Sequence, residues 1–84
     1  MRLIFSVDAW EDYLYWQRTD KKVLGRINSL IEAIRRQPHE GIGKPEPLKH
    51  ALSGYWSRRI TDEHRIVYKV EDDALFIAQL RYHY

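Results

Sequence analysis

Residues 41–65 carry side chains from which a site for acid–base chemistry could be built. The carboxylate Glu46 stands between Pro45 and Pro47, and each proline fixes its own φ and extends the residue before it. The cations around it in the sequence are Lys44, Lys49, Arg58, Arg59 and Arg65. A stiffly held carboxylate among cations has a restricted position and a stabilised charge. The alternative interpretation is an ordinary solvated loop, because loops are commonly polar.

The C-terminal residues add an imidazole, His83, to this carboxylate and these cations. Such a set is suited to cleaving RNA without a metal, by attack of the ribose 2′-hydroxyl on the adjacent phosphate. That reaction needs a base for the hydroxyl proton, an acid for the departing oxygen and cations for the growing phosphate charge. Glu46 would be the base, His83 the acid and Arg65 the phosphate clamp. The alternative is that a histidine so close to the C-terminus is an exposed bystander.

Other chemistries fit the sequence less well. The chain has no cysteine and therefore no thiol nucleophile or disulfide. Its four histidines lack metal-ligand spacing, and no glycine-rich phosphate loop is present. We therefore predict no metal and no cofactor, and we interpret His50 and His64 as structural or peripheral.

Length and composition predict one globular domain over residues 1–84, with 44% hydrophobic and 31% charged residues. The net charge is only +2, but acidic residues gather near residues 8–20 and 71–73 while the middle is basic. This distribution permits a polyanionic partner such as nucleic acid. No apolar run approaches the roughly 20 residues of a membrane span. We expect a cytoplasmic protein without membrane contact.

Two helices are predicted before the loop. The first runs from residue 7 to about residue 18 with Ser6 as its N-cap. Its predicted packing face consists of Trp10, Tyr13, Leu14 and Gln17, with Ala9 and Trp16 beside it. The second begins after Thr19 or Asp20 and is ended by Pro38. Its apolar stripe, the clearest periodicity in the chain, consists of Val23, Leu24, Ile27, Leu30, Ile31 and Ile34.

Strands are predicted at residues 3–5, 55–61, 64–70 and 75–83, with a loop at residues 38–54. The fold class is thus α+β in the order β-α-α-β-β-β, with both helices on one face of a twisted, mainly antiparallel sheet. Strict alternation places Arg81 and His83 on the face of Leu75, Ile77 and Gln79. If the helices cover the other face, these two residues and Arg65 point into one concavity, over which the loop could bring Glu46, Lys44 and Lys49.

Four strings in this order resemble the YoeB (Txe) toxins of the RelE/ParE toxin superfamily: KPEPLK at 44–49, SGYWSRRI at 53–60, EHRIVY at 63–68 and YHY at 82–84. The resemblance runs the full length. It implies a toxin that enters the ribosomal A site and cuts mRNA, leaving a 2′,3′-cyclic or 3′-phosphate and a 5′-hydroxyl. By the same resemblance Glu46 is the general base, His83 the general acid, Arg65 the phosphate-stabilising residue and Tyr84 an mRNA-positioning residue. Lys49 and Arg59 match further basic residues of the family's site.

The resemblance also implies partners. These are a YefM-like antitoxin, the 70S ribosome with mRNA, operon DNA bound only through the antitoxin, and a possible second copy of the chain. Two alternatives have no cleavage. One is a module that binds RNA or the ribosome and blocks translation, and the other is a co-repressor that acts with its antitoxin on operon DNA.

Overall fold

The computed structural model describes residues 1–83, which form two helices packed on a five-stranded sheet. The elements are Arg2–Phe5 (β1), Val7–Thr19 (α1), Lys21–Arg36 (α2), Glu46–Pro47 (β2), Trp56–Arg59 (β3), Arg65–Glu71 (β4) and Ala74–Gln79 (β5). The strand order is β1-β5-β4-β3-β2, with β1 parallel to β5 and every other pair antiparallel. The predicted α+β class is confirmed, with one short strand added inside the predicted loop.

The second helix follows its sequence signals closely. Asp20 is its N-cap, since the Asp20 carboxylate accepts hydrogen bonds from the backbone amides of Lys22 and Val23 at 3.1 and 3.2 Å. The helix ends at Arg36, just before Pro38. The four buried residues of its stripe are Ile27, Leu30, Ile31 and Ile34. They pack on the core face of the sheet and so fix the position of the chain that enters the loop.

The first helix has its predicted extent but packs by a different face. Ala9 and Trp16 are its buried residues, whereas Trp10 is 48% exposed and Gln17 lies in solvent. Trp16 is buried, and its indole N–H donates to the carbonyl of Leu80 at 2.9 Å. Trp10 instead stacks on Tyr13 at the surface, with ring centroids 5.8 Å apart. The predicted face is therefore wrong at Trp10 and Gln17, whereas its member Tyr13 packs against the core.

The last strand is shorter than predicted and contains a β-bulge. It ends at Gln79 rather than near residue 83. Ile77 pairs with Tyr68 and Gln79 with Val67, which leaves Ala78 as an extra, unpaired residue. The bulge reverses the alternation, so Leu75 and Ile77 face the helices while Gln79 shares the opposite face with Val67. The prediction that Leu75, Ile77 and Gln79 share one face is wrong.

The loop after α2 is more ordered than its composition indicates. Glu46 and Pro47 pair antiparallel with Ser57 and Trp56, so this short segment becomes the edge strand β2. A single 3₁₀ turn at His50–Leu52 then leads into β3. The loop thereby places Glu46 on the sheet. No helix within residues 1–83 is long and apolar enough to cross a membrane.

Candidate active site

A small polar cavity of about 170 Å³ lies where β2, β3, β4 and the C-terminal residues meet. Its described lining residues are Lys44, Glu46, Ser57, Arg59, Arg65 and His83. Three of these side chains are permanent cations and one is a carboxylate, so the cavity favours an anionic ligand such as a phosphodiester. The structure thus brings together the residues predicted as base, acid and phosphate clamp.

The sheet and the loop together position Glu46. Its backbone is held opposite Ser57 by the β2–β3 pairing, and its side chain is exposed at the cavity. Upstream, the amide of Arg59 donates to the carbonyl of Gly43 at 2.7 Å. Gly43 has φ of +86°, and a Cβ there would lie 2.8 Å from a methyl of Leu30 and 3.1 Å from Cβ of Arg58. Glycine at this position therefore allows the loop to lie against β3 and α2.

Arg58 anchors the loop through hydrogen bonds from its buried side chain. Its side chain is completely buried, and its guanidinium donates to the carbonyls of Gln37 (2.6 Å), Glu40 (2.7 Å) and Ile42 (3.1 Å). Its Nε also donates to the hydroxyl of Tyr68 at 3.1 Å. This buried arginine therefore satisfies backbone groups that the irregular loop leaves without secondary-structure partners.

Tyr68 extends the same network into the core. Its hydroxyl donates to the carbonyl of Pro38 at 2.7 Å while accepting from Arg58. Burial raises the pKa of the Tyr68 phenol above its ordinary value, and the neighbouring Arg58 offsets part of that rise. The neutral phenol is thus the form that the folded protein favours.

Arg65 is oriented by backbone carbonyls. Its Nη1 donates to the carbonyls of Thr61, Asp62 and His64 at 2.8 to 3.1 Å. An arginine whose Nη1 is held by backbone carbonyls and which lines a polar cavity is suited to clamp phosphate oxygens.

His83 reaches the cavity on a short tail that follows the bulge. The Gln79 side-chain amide donates to the carbonyls of Arg81 and His83 at 3.0 and 3.3 Å. The amide of Leu80 donates to the carboxylate of Asp12 at 3.0 Å. The imidazole of His83 is exposed. This tail therefore presents an accessible imidazole on the side of the cavity opposite β2.

Two predicted site residues, Lys49 and Arg81, are not among the described residues that line this cavity. Lys49 lines an adjoining groove of about 490 Å³ that also contains Glu46. Arg81 turns the other way, towards α1, because its guanidinium lies 3.7 Å from the ring centroid of Tyr15. The prediction that Arg81 points into the same concavity as Arg65 is wrong, because the helices cover the face of Leu75 and Ile77 and the strand ends at Gln79. Tyr84 lies outside the described residues.

Sequence reasoning missed three residues of the site and its support: Ser57, Arg58 and His64. Ser57 and Arg58 lie in the string SGYWSRRI at 53–60. The alternation of β3 is the signal that separates buried Arg58 from exposed Arg59. His64 gives no signal in the sequence, because its contact is with the tail 18 residues away. Within residues 1–83, no group of three His, Cys, Asp or Glu side chains is placed to hold a metal ion.

Comparisons with known proteins identify the family and match the fold. The family model described as YoeB-like toxin of bacterial type II toxin-antitoxin system matches residues 5–84. Toxin YoeB of Escherichia coli K12 is 66% identical over 84 residues, which is all of both chains. The YoeB dimer from Staphylococcus aureus superposes with a TM-score of 0.94 at 52% identity, covering 100% of this chain and 98% of that one. The heterotetrameric YoeB-YefM toxin-antitoxin complex from the same species gives 0.93 at 52% identity, with the same coverage.

Proposed function

Because the chain belongs to the YoeB-like toxins of bacterial type II toxin–antitoxin systems, we propose that it is a ribosome-dependent endoribonuclease that cuts mRNA in the A site. The observation that carries the proposal is the single cavity that contains Glu46, His83, Arg59 and Arg65. A carboxylate and an imidazole beside two guanidinium groups are what cleavage by 2′-hydroxyl attack requires.

In the proposed reaction, Glu46 accepts the proton of the ribose 2′-hydroxyl as its oxygen attacks the adjacent phosphorus. Arg65 and Arg59 stabilise the charge that grows on the phosphate oxygens. The bond from phosphorus to the 5′-oxygen breaks, and His83 donates a proton to that oxygen. The products are a 2′,3′-cyclic phosphate, which hydrolysis opens to a 3′-phosphate, and a 5′-hydroxyl. Lys44 in the cavity and Lys49 in the adjoining groove bind neighbouring phosphates, and Tyr84 positions the mRNA.

The ribosome supplies what this small chain lacks. The cavity is too small to enclose more than the reacting phosphate and its ribose, so the mRNA must be positioned by another surface. This supports the proposed dependence on the ribosome, and a ribosomal substrate is expected in the cytoplasm. Inhibition of translation is the expected consequence of cutting the codon that is being read.

We propose two protein partners for the same chain. One is a YefM-like antitoxin, as in the heterotetrameric relative, and the other is a second copy of the toxin, as in the dimeric relative. Operon DNA would be bound only through the antitoxin. A gel shift with this chain alone tests the last point, and retarded DNA in the absence of antitoxin would contradict it.

The decisive experiment is primer extension on one mRNA in a purified translation system, with ribosomes present and absent. We expect cuts at the A-site codon only when ribosomes are present, and none when the cleaved nucleotide carries a 2′-deoxyribose. Cuts on free RNA would make the protein a stand-alone nuclease. Ribosome stalling on intact mRNA would identify a binding module and exclude the mechanism above.

A further inference from the structure

His64 holds the segment that carries the proposed general acid. Its Nδ1 accepts a hydrogen bond from the backbone amide of Tyr82, the residue before His83, at 2.7 Å. A backbone amide can only donate, so Nδ1 carries no proton in this arrangement. On its other side the carbonyl of Tyr82 accepts from the amide of Arg65 at 3.1 Å. Both backbone groups of Tyr82 are therefore fixed beside the phosphate clamp.

The backbone of Tyr82 needs this support. Its φ is +61°, in the left-handed region that residues with a Cβ rarely adopt. Such a conformation persists only where surrounding contacts determine it. The side chain of Tyr82 is 55% exposed, and its hydroxyl accepts from Arg81 at 2.9 Å while its ring lies 5.4 Å from that of His64. The two backbone hydrogen bonds of Tyr82, one to His64 and one from Arg65, act with the bonds of Gln79 to set the direction in which the chain enters His83.

The imidazole of His64 is itself held rigidly. Its side chain is only 11% exposed. The ring packs edge-on against Trp16, with centroids 4.8 Å apart, and Trp16 in turn bonds the carbonyl of Leu80. The backbone amide of His64 donates to the Thr61 hydroxyl at 3.1 Å. A ring fixed by packing on one side and by its own turn on the other offers a hydrogen-bond acceptor at one defined point.

We propose that His64 is a positioning residue for mRNA cleavage: it fixes the turn at Tyr82 and thereby aims His83 at the cavity that contains Glu46 and Arg65. This inference rests on the proposed function. His64 touches no reacting atom and acts only through the tail. This role requires residue 64 to present a hydrogen-bond acceptor at the position of Nδ1. It requires neither an aromatic ring nor a charge.

A pair of variants separates the acceptor from the ring. His64→Asn places an amide oxygen close to the position of Nδ1 but removes the ring. His64→Phe keeps an aromatic ring against Trp16 but removes the acceptor. We expect His64→Phe to slow single-turnover cleavage of ribosome-bound mRNA by about 10- to 100-fold, since a displacement of about 1 Å can cost 10²-fold. We expect His64→Asn to stay within about 3-fold of the wild-type rate, and both variants to bind ribosomes with unchanged affinity.

Amide hydrogen exchange of Tyr82 gives a second readout that needs no catalysis. In His64→Phe this amide should exchange at least about 10-fold faster, because its partner is gone, while His64→Asn should retain protection. A wild-type chain that does not cleave would refute the proposed function, and the exchange data would still decide whether His64 holds the tail. Equal cleavage rates in the two variants, or undiminished protection in His64→Phe, would overturn the inference.

Discussion

Glu46 and His83 face the same cavity, but the protein holds them by different means. Glu46 lies on an edge strand whose loop is anchored by Arg58, a completely buried side chain with four hydrogen bonds. His83 lies on a tail that the sheet has already released, held by side chains of α1, β5 and the β3–β4 turn. The proposed base therefore lies on the sheet itself, whereas the proposed acid lies on a tail that side chains hold against the sheet.

This difference predicts how the two sides respond to damage. The hydrogen bonds from Arg58 to the loop before Glu46 satisfy backbone carbonyls of that loop. Changes there should therefore lower the free energy of unfolding and the activity together. Contacts on Tyr82 and His83 hold exposed residues, so changes there should lower the activity alone. A partner that bound the tail could displace His83 without disturbing Glu46 or the core.

The largest expected effect is on the tail. His83→Ala should reduce A-site cleavage by about 10²–10⁴-fold, the usual loss for a general acid. Because His83 is exposed, the melting temperature should not change. His39→Ala is the matched control, since His39 stacks on Trp56 and does not line the cavity. Cleavage at the wild-type rate by His83→Ala, measured by primer extension, would remove the acid from the mechanism.

Neighbouring arginines on β3 give the next test. Arg58→Ala should lower the free energy of unfolding by about 3 kcal/mol or more, because it leaves buried loop carbonyls without donors. Arg59→Ala, one residue along and exposed, should change stability by less than about 0.5 kcal/mol but should slow cleavage. Urea unfolding and primer extension on both variants measure the two effects. Equal stability of the two variants would show that the loop is not anchored by Arg58.

Tyr68→Phe removes a smaller part of the hydrogen-bond network around Arg58. Loss of its hydroxyl should cost about 1–2 kcal/mol, since one bond to Arg58 and one to Pro38 disappear. The pKa of Tyr68 is raised in the folded state, so its neutral form stabilises the protein fully below the ordinary pKa of about 10. That contribution is lost as pH rises through the folded-state pKa.

The advantage of the wild type over Tyr68→Phe should therefore shrink above about pH 10. Urea unfolding of both proteins across the alkaline range measures it. A difference that stays constant with pH would mean that the phenol is not buried in the folded state.

The sequence predicts the helix beneath the loop better than the tail. The stripe from Ile27 to Ile34 has strong helical periodicity, and the motif strings contain Glu46, Arg65 and His83, which the structure places at one cavity. Alternation fails at Ala78, because an inserted bulge residue leaves no mark in the pattern of apolar side chains. Arg81 is misplaced because the helices cover the face of Leu75 and Ile77 and the strand ends at Gln79, and the proposed role of His64 depends on a tertiary contact that no local pattern encodes.

The smallest expected effect is at Gln79, which bonds the same tail from β5. Gln79→Ala removes two partly exposed hydrogen bonds, at 3.0 and 3.3 Å, so the cleavage rate should fall by less than about 10-fold. Stability should be unchanged, because the backbone pairing of Gln79 with Val67 remains. Single-turnover cleavage beside His64→Phe ranks the two contacts. A loss as large as that of His83→Ala would mean that Gln79, rather than His64, is the main support of the acid.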